Sequence, residues 1–105
     1  MPLPDPQEHR ISLAVAAELT RRYRESAPAG AVKAGMFPRS SFETILKQPG
    51  CLGIRIYFGR NATNALSLVM VGVDSDGKDM TQDELMDNNF PCPPFCDDGD
   101  KALNG

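Results

Sequence analysis

"CLGIRIYFGRNATNALSLVMVGVDSDG", residues 51–77, decides the fold. Leu52, Ile54, Ile56 and Phe58 alternate with Gly53, Arg55 and Tyr57, the period of two that marks a half-buried strand. "GRNATNA" interrupts the run with turn-forming residues. Leu66, Leu68 and Met70 then alternate with Ser67, Val69 and Val71, so a second strand returns antiparallel to the first. Around Val69 to Val73 both faces of that second strand are apolar. Two strands alone are marginally stable in water, so the hairpin must lie on helices, pair with a third strand or pair with a second chain. The sequon at Asn61 falls in the interrupting segment and reads as a polar turn.

Upstream, "DPQEHRISLAVAAELTRRYRES" reads as a helix. Asp5 is placed as its cap, Pro6 at the first helical position, and Glu8 three residues after the cap. Ile11, Ala14, Val15, Leu19 and Tyr23 form one apolar stripe, and Pro28 ends the helix. Residues 27–36 form a connector rich in small residues. "RSSFETILKQPG" gives a second, shorter helix with Ser40 as cap, Glu43 completing its capping box, and Phe42, Ile45 and Leu46 as its buried face. Downstream of the hairpin, Thr81 and Glu84 frame one helical turn carrying Leu85 and Met86. Residues 97–105 are polar and read as a flexible tail.

The totals narrow the classes of function. A chain of 105 residues makes one domain, and at that size roughly 60 to 70% of the unfolded surface is buried, a modest core. A formal charge of −3 argues against nucleic acid as partner, because phosphate binding needs a clustered positive surface. Arg21, Arg22 and Arg24 read instead as cations complementing a helix end. No apolar run is long enough to span a bilayer, and "MPLPDPQEHR" lacks the pattern of a signal peptide. The expectation is a cytoplasmic protein, off the membrane, with reduced thiols.

Chemistry has few candidate seats. "DSDGKD" starts like a calcium loop, but aligning Gly77 with the obligatory glycine puts Gly72 where an oxygen ligand is required, so a β-turn is the better reading. His9 is the only histidine, and it is placed in the first turn of the first helix, between Glu8 and Arg10, where a solvent-facing role is a better reading than a base beside a thiol or hydroxyl. Cys51 reads as a half-buried structural thiol. "CPPFC", residues 92–96, allows three readings: a metal clasp, a redox pair, or a stiff strap that packs Phe90 or Phe95 across the sheet. Fully extended, the segment would hold the two cysteine Cα atoms roughly 12 Å apart, whereas a disulfide needs about 4.4 to 6.8 Å. Bonding Cys92 to Cys96 therefore requires a turn at Pro94-Phe95 or a cis peptide before a proline. A zinc site would draw on Cys51, Cys92 and Cys96, with His9 or a carboxylate as fourth ligand.

The blocks "QPGCLGIRIYFG", "LSLVMVGVDSDGKD" and "PCPPFC", taken in order, resemble a group of small uncharacterised bacterial proteins, often from Bacteroidetes-type genomes. That resemblance covers residues 37–96 and implies that Cys51, Cys92 and Cys96 are one family feature. It implies no activity. A second likeness is to the A-type iron–sulfur carriers, which also place one cysteine mid-chain and two near the C-terminus. Those carriers end in a C-x-C pair, and Pro-Pro-Phe separates the pair here.

The expected architecture is thus α+β: two N-terminal helices packed on an antiparallel hairpin, with an extended C-terminal strap. The expected function is a non-enzymatic interaction module that self-associates through the strand edge or through Val69, Val71, Val73 and Tyr57. The alternative is zinc or iron–sulfur binding, or thiol redox sensing, by the three cysteines.

Overall fold

A computed structural model describes residues 3–5 and 7–105. Its order is α1 (Leu13–Ser26), β1 (Ala34–Met36), α2 (Arg39–Leu46), β2 (Gly53–Arg60), β3 (Leu66–Val73), β4 (Leu85–Met86) and β5 (Phe90–Cys92). The fold is α+β, with β2-β3-β4 in one antiparallel sheet and β1-β5 in another.

The hairpin stands where the alternation places it. Gly53 pairs with Val73, Ile56 with Met70 and Arg60 with Leu66. Asn61 organises the turn: its Oδ1 accepts from the Thr63 and Ala65 amides at 3.0 Å each and from Thr63 Oγ1 at 2.8 Å. Asn64 closes it at φ 67°, a conformation that asparagine tolerates better than most residues. "DSDG" is a turn as well, with Asp74 Oδ1 accepting from Asp76 N and Lys78 N at 2.9 and 3.0 Å.

β4 supplies the third strand, pairing Met70 with Met86 and Val71 with Leu85. The expected helical turn at residues 81–86 is absent, because Leu85 and Met86 are held in this ladder. One face of the sheet carries Ile54, Leu68, Met70 and Met86, and these close on Ile45 and Phe37 to form the core. Gly72 lets the end of α2 come this close: a Cβ there would stand 3.0 Å from Cys51 Sγ and 3.1 Å from Gln48 Nε2. Gln48 then ties helix to sheet, donating to Ile45 O at 2.8 Å and accepting from Glu84 N at 3.0 Å.

Both helices depart from expectation in detail. α2 starts one residue before Ser40, with Pro38 as cap and no side-chain capping bond. Ile45 is its buried residue, while Phe42 and Leu46 remain 37% and 47% exposed. Phe42 meets Phe37 edge to face at 6.4 Å between ring centres.

α1 begins at Leu13, capped by Ser12, whose Oγ accepts from Val15 N at 3.1 Å. Glu8 binds Arg10 instead of capping a helix, Asp5 and His9 precede the helix, and the expected role of Pro6 lies outside the described residues. α2 packs on the sheet, whereas α1 contributes no fully buried side chain. Val15, Leu19 and Tyr23 of the expected stripe stay 45–53% exposed on α1, and Ile11, which precedes the helix, is 58% exposed. Arg21 and Arg22 are engaged along α1 with Glu18 and Glu25.

The second sheet belongs to residues read as connector and strap. Ala34 pairs with Cys92 and Met36 with Phe90. Two hydrogen bonds reach the tail: Arg24 Nη1 donates to Leu103 O at 2.5 Å and Lys33 Nζ to Asn104 O at 2.6 Å.

These packing differences along α2 are measurable. Ile45→Ala should lower unfolding stability by about 2–5 kcal/mol through the cavity it leaves. Leu46→Ala should stay within about 0.5 kcal/mol. Urea titration of both variants checks the pair.

Candidate functional site

The three cysteines do not converge. Cys92 and Cys96 are joined in a disulfide, with Cα atoms 4.7 Å apart. The peptide bonds before Pro93 and Pro94 are both cis, one of the two routes by which the stiff segment can bring its ends together. Phe95 N donates to Pro91 O at 2.8 Å across the ring, and the Phe90 and Phe95 rings meet at 5.5 Å. Cys51 is a free thiol at the start of the other sheet, donating to Gly53 O at 3.2 Å. The expected three-thiolate metal set is therefore not assembled. Two of its sulfurs are bonded to each other, and no group of three His, Cys, Asp or Glu side chains is placed to hold a metal among the described residues. The bonded pair also departs from the expectation of reduced thiols.

The expected interaction face is largely internal. Val71 and Val73 are 1% and 4% exposed, because the chain after β3 doubles back along it. Asp79 bridges to Val73, Met80 N donates to Gly72 O at 2.9 Å, and Leu85 lies beside Val71. Val69 is half-buried, and Tyr57 alone of the four is open, at 46%. Its hydroxyl donates to Asp79, which also takes Arg55 Nη1. The Tyr57 hydroxyl, followed by the Arg55 guanidinium, holds the Asp79 carboxyl below its ordinary value.

Open apolar surface lies on the opposite face of the hairpin. Phe58 is 79% exposed and Ile56 47%, although the alternation assigns both to the buried side. α2 is too short to reach them: its eight residues cover the Ile54–Met70 end and stop. β2 is also the outer strand of its sheet, paired with β3 alone.

Beside Phe58 a cleft of about 510 Å³ opens between this end of the hairpin, Tyr23 of α1 and residues 32–34. Leu66, Leu68 and Asn89 complete its lining. Asn89 is 9% exposed, and its Oδ1 accepts from Leu68 N at 3.1 Å, continuing the β3 ladder where β4 ends. Asn88, at φ 60°, turns the chain into that position. The adjacent asparagines between two strands were the available sign of this corner, but only the fold says what they serve.

Compared with protein-family models, curated proteins and solved structures, the chain matches none. Among the described residues, no helix is long and apolar enough to cross a membrane.

Two outcomes follow from this geometry. Thiol labelling of the denatured, unreduced chain should find one reactive cysteine, Cys51, and three after reduction. The Asp79 contact should appear in the pH dependence of stability. A depressed carboxyl pKa adds stability above the unfolded value and loses it as pH falls through the folded one. The advantage of the native chain over Asp79→Asn should thus be complete near neutral pH and shrink below the ordinary 3.8, as read by thermal unfolding across a pH series.

Proposed function

We propose that this chain is a small non-enzymatic interaction module that pairs with a second copy along the open edge of β2. The observation that carries the reading is the state of that strand: eight residues with one neighbour, bearing the most exposed of its large apolar side chains, Phe58. An unpaired edge offers a row of backbone donors and acceptors to another strand. Two copies of the same edge meet antiparallel about a two-fold axis, which gives a closed dimer rather than an open fibre. Pairing brings Ile56 and Phe58 of each copy together on one face. Val15, Leu19 and Tyr23 of α1, with Ile11 just before it, supply further exposed apolar area, toward the roughly 1,200–2,000 Å² that a specific interface buries. The buried valines leave this edge and face as the support for self-association.

A second reading, thiol redox sensing, is favoured by the closed Cys92–Cys96 bond. Opening it takes two electrons and two protons from a dithiol donor and yields two thiols. β5 pairs with β1 through Cys92 itself, so the change would be felt in that small sheet.

Sedimentation velocity on the full chain at about 1–100 µM tests the main reading. A dimer is expected for the native chain, and monomers for Ile56→Lys and Phe58→Asp with unchanged circular dichroism. A native chain that stays monomeric over that range overturns it.

A further inference from the structure

We infer that the cleft beside Phe58 is a binding site for a small monocarboxylate with an apolar body, an aliphatic or aryl acid, whose head accepts a hydrogen bond from Asn89. The volume, about 510 Å³, falls within the roughly 300–1,000 Å³ of small-molecule sites, which are mostly apolar with a few placed polar groups. Phe58, Leu66, Leu68, Val32 and Ala34 provide the apolar lining.

The polar inventory sets the ligand's head. Tyr23 is spent, its hydroxyl donating to Val32 O at 3.3 Å. Asn89 is nine-tenths buried and its Oδ1 is committed to Leu68 N. Its Nδ2, which carries two N–H donors, has no hydrogen-bond partner among the described residues. No side-chain nitrogen or oxygen there is both wholly buried and unpartnered, so Nδ2 keeps an opening, and the open space that Asn89 lines is the cleft. The amide is a built feature rather than a stray side chain. Gly35 makes room for it: a Cβ at that position would stand 2.2 Å from Nδ2 and 2.9 Å from Cγ.

An amide donor that opens onto an apolar cleft offers a ligand's acceptor a hydrogen bond in surroundings of low dielectric, where such a bond is stronger than in water. Lys33 supplies the one formal charge in the lining, and it is positive; one of its three N–H donors is taken by Asn104 O at 2.6 Å. No acidic side chain lines the cleft. An amide donor and a cation, with no acidic side chain opposite them, select a carboxylate over an alcohol or an amine.

The inference stands apart from the pairing of β2, and one experiment separates them. Octanoate and 1-octanol are titrated into the isotopically labelled full chain, with the Asn89 side-chain amide and the Phe58 and Leu66 backbone amides followed by NMR. Octanoate should shift all three sets saturably, and octanol should bind about ten-fold more weakly. Asn89→Asp keeps an oxygen for Leu68 N while replacing the donor with a negative charge. In that variant octanoate affinity should fall by about ten-fold or more and octanol affinity should hold, a split that a merely structural role would not produce. Repeating the titration on Ile56→Lys, whose change lies outside the cleft lining, reads binding without β2 pairing. Absence of saturable shifts at these three residues overturns the site. Equal affinity for octanoate and octanol in the native chain overturns the carboxylate assignment, and does so even where Asn89→Asp fails to fold.

Discussion

β3 is apolar on both faces and cannot be left wet on either, and most of the structure follows from covering it. Its side chains from Leu68 to Val73 fall alternately on two sides of a sheet, where each fully buried aliphatic group contributes about 1.5–3 kcal/mol. β2 and β4 take its two edges, so it becomes the central strand. α2 takes the Met70 face, and Gly72 lets the helix end descend onto it. The return of residues 74–84 secludes Val71 and Val73 on the other side. Three separate stretches of chain, α2, β2 and residues 74–86, are thus organised by one strand.

Surface electrostatics has a smaller part. The Glu18–Arg21–Glu25 chain on α1 is 43% exposed or more at every member, and exposed pairs of this kind contribute about 0–1 kcal/mol. Arg55, Tyr57 and Asp79 differ in purpose because Asp79 belongs to the returning segment and the other two to β2. Their contact fixes where the return crosses the sheet. Asn89 does similar work at another seam: a single amide continues the β3 ladder and rests on Gly35 of the second sheet. Hydrogen bonds here choose positions, and apolar burial supplies the drive.

This division explains what could be read from the sequence. The hairpin was legible because a period of two over eight residues is a local signal with a turn at its centre, and Asn61 and Asn64 carry that turn themselves. α2 was legible for the same reason, although the choice among Phe42, Ile45 and Leu46 depended on where the sheet lay. β1, β4 and β5 are two or three residues long, too short for any periodicity, and exist only because a partner strand is present. The start of α1 was misplaced because Asp5, Pro6 and Glu8 satisfy a capping rule that Ser12 satisfies too, and the helix uses the later cap. Val71 and Val73 looked destined for a partner because nothing in "DSDGKDMTQDEL" announces that it folds back. Pairing of Cys92 with Cys96 depended on peptide geometry in a double proline, which composition leaves open. The cleft was invisible for a stronger reason: Tyr23, Phe58, Leu66 and Asn89 come from four segments, and no one of them is unusual alone.

The apolar surface that remains open has a cause in the arithmetic of cover. The hairpin runs eight residues on each strand, roughly 26 Å at about 3.3 Å per residue. α2, eight residues long, spans roughly 12 Å at about 1.5 Å per residue. One short helix therefore hides less than half of the ribbon, and the second helix, which has the length, buries none of its side chains. What α2 leaves uncovered is the end carrying Phe58 and Leu66. Had α1 lain flat over that end, its stripe would have closed the cleft and hidden Phe58 within one copy. Instead α1 is fastened at its C-terminal end, through Tyr23 to Val32 and Arg24 to Leu103, and the cleft stays open under Tyr23. A domain this small can ill spare that burial for its own stability, and the open ribbon end is where the proposed pairing and the proposed ligand each have apolar surface to cover.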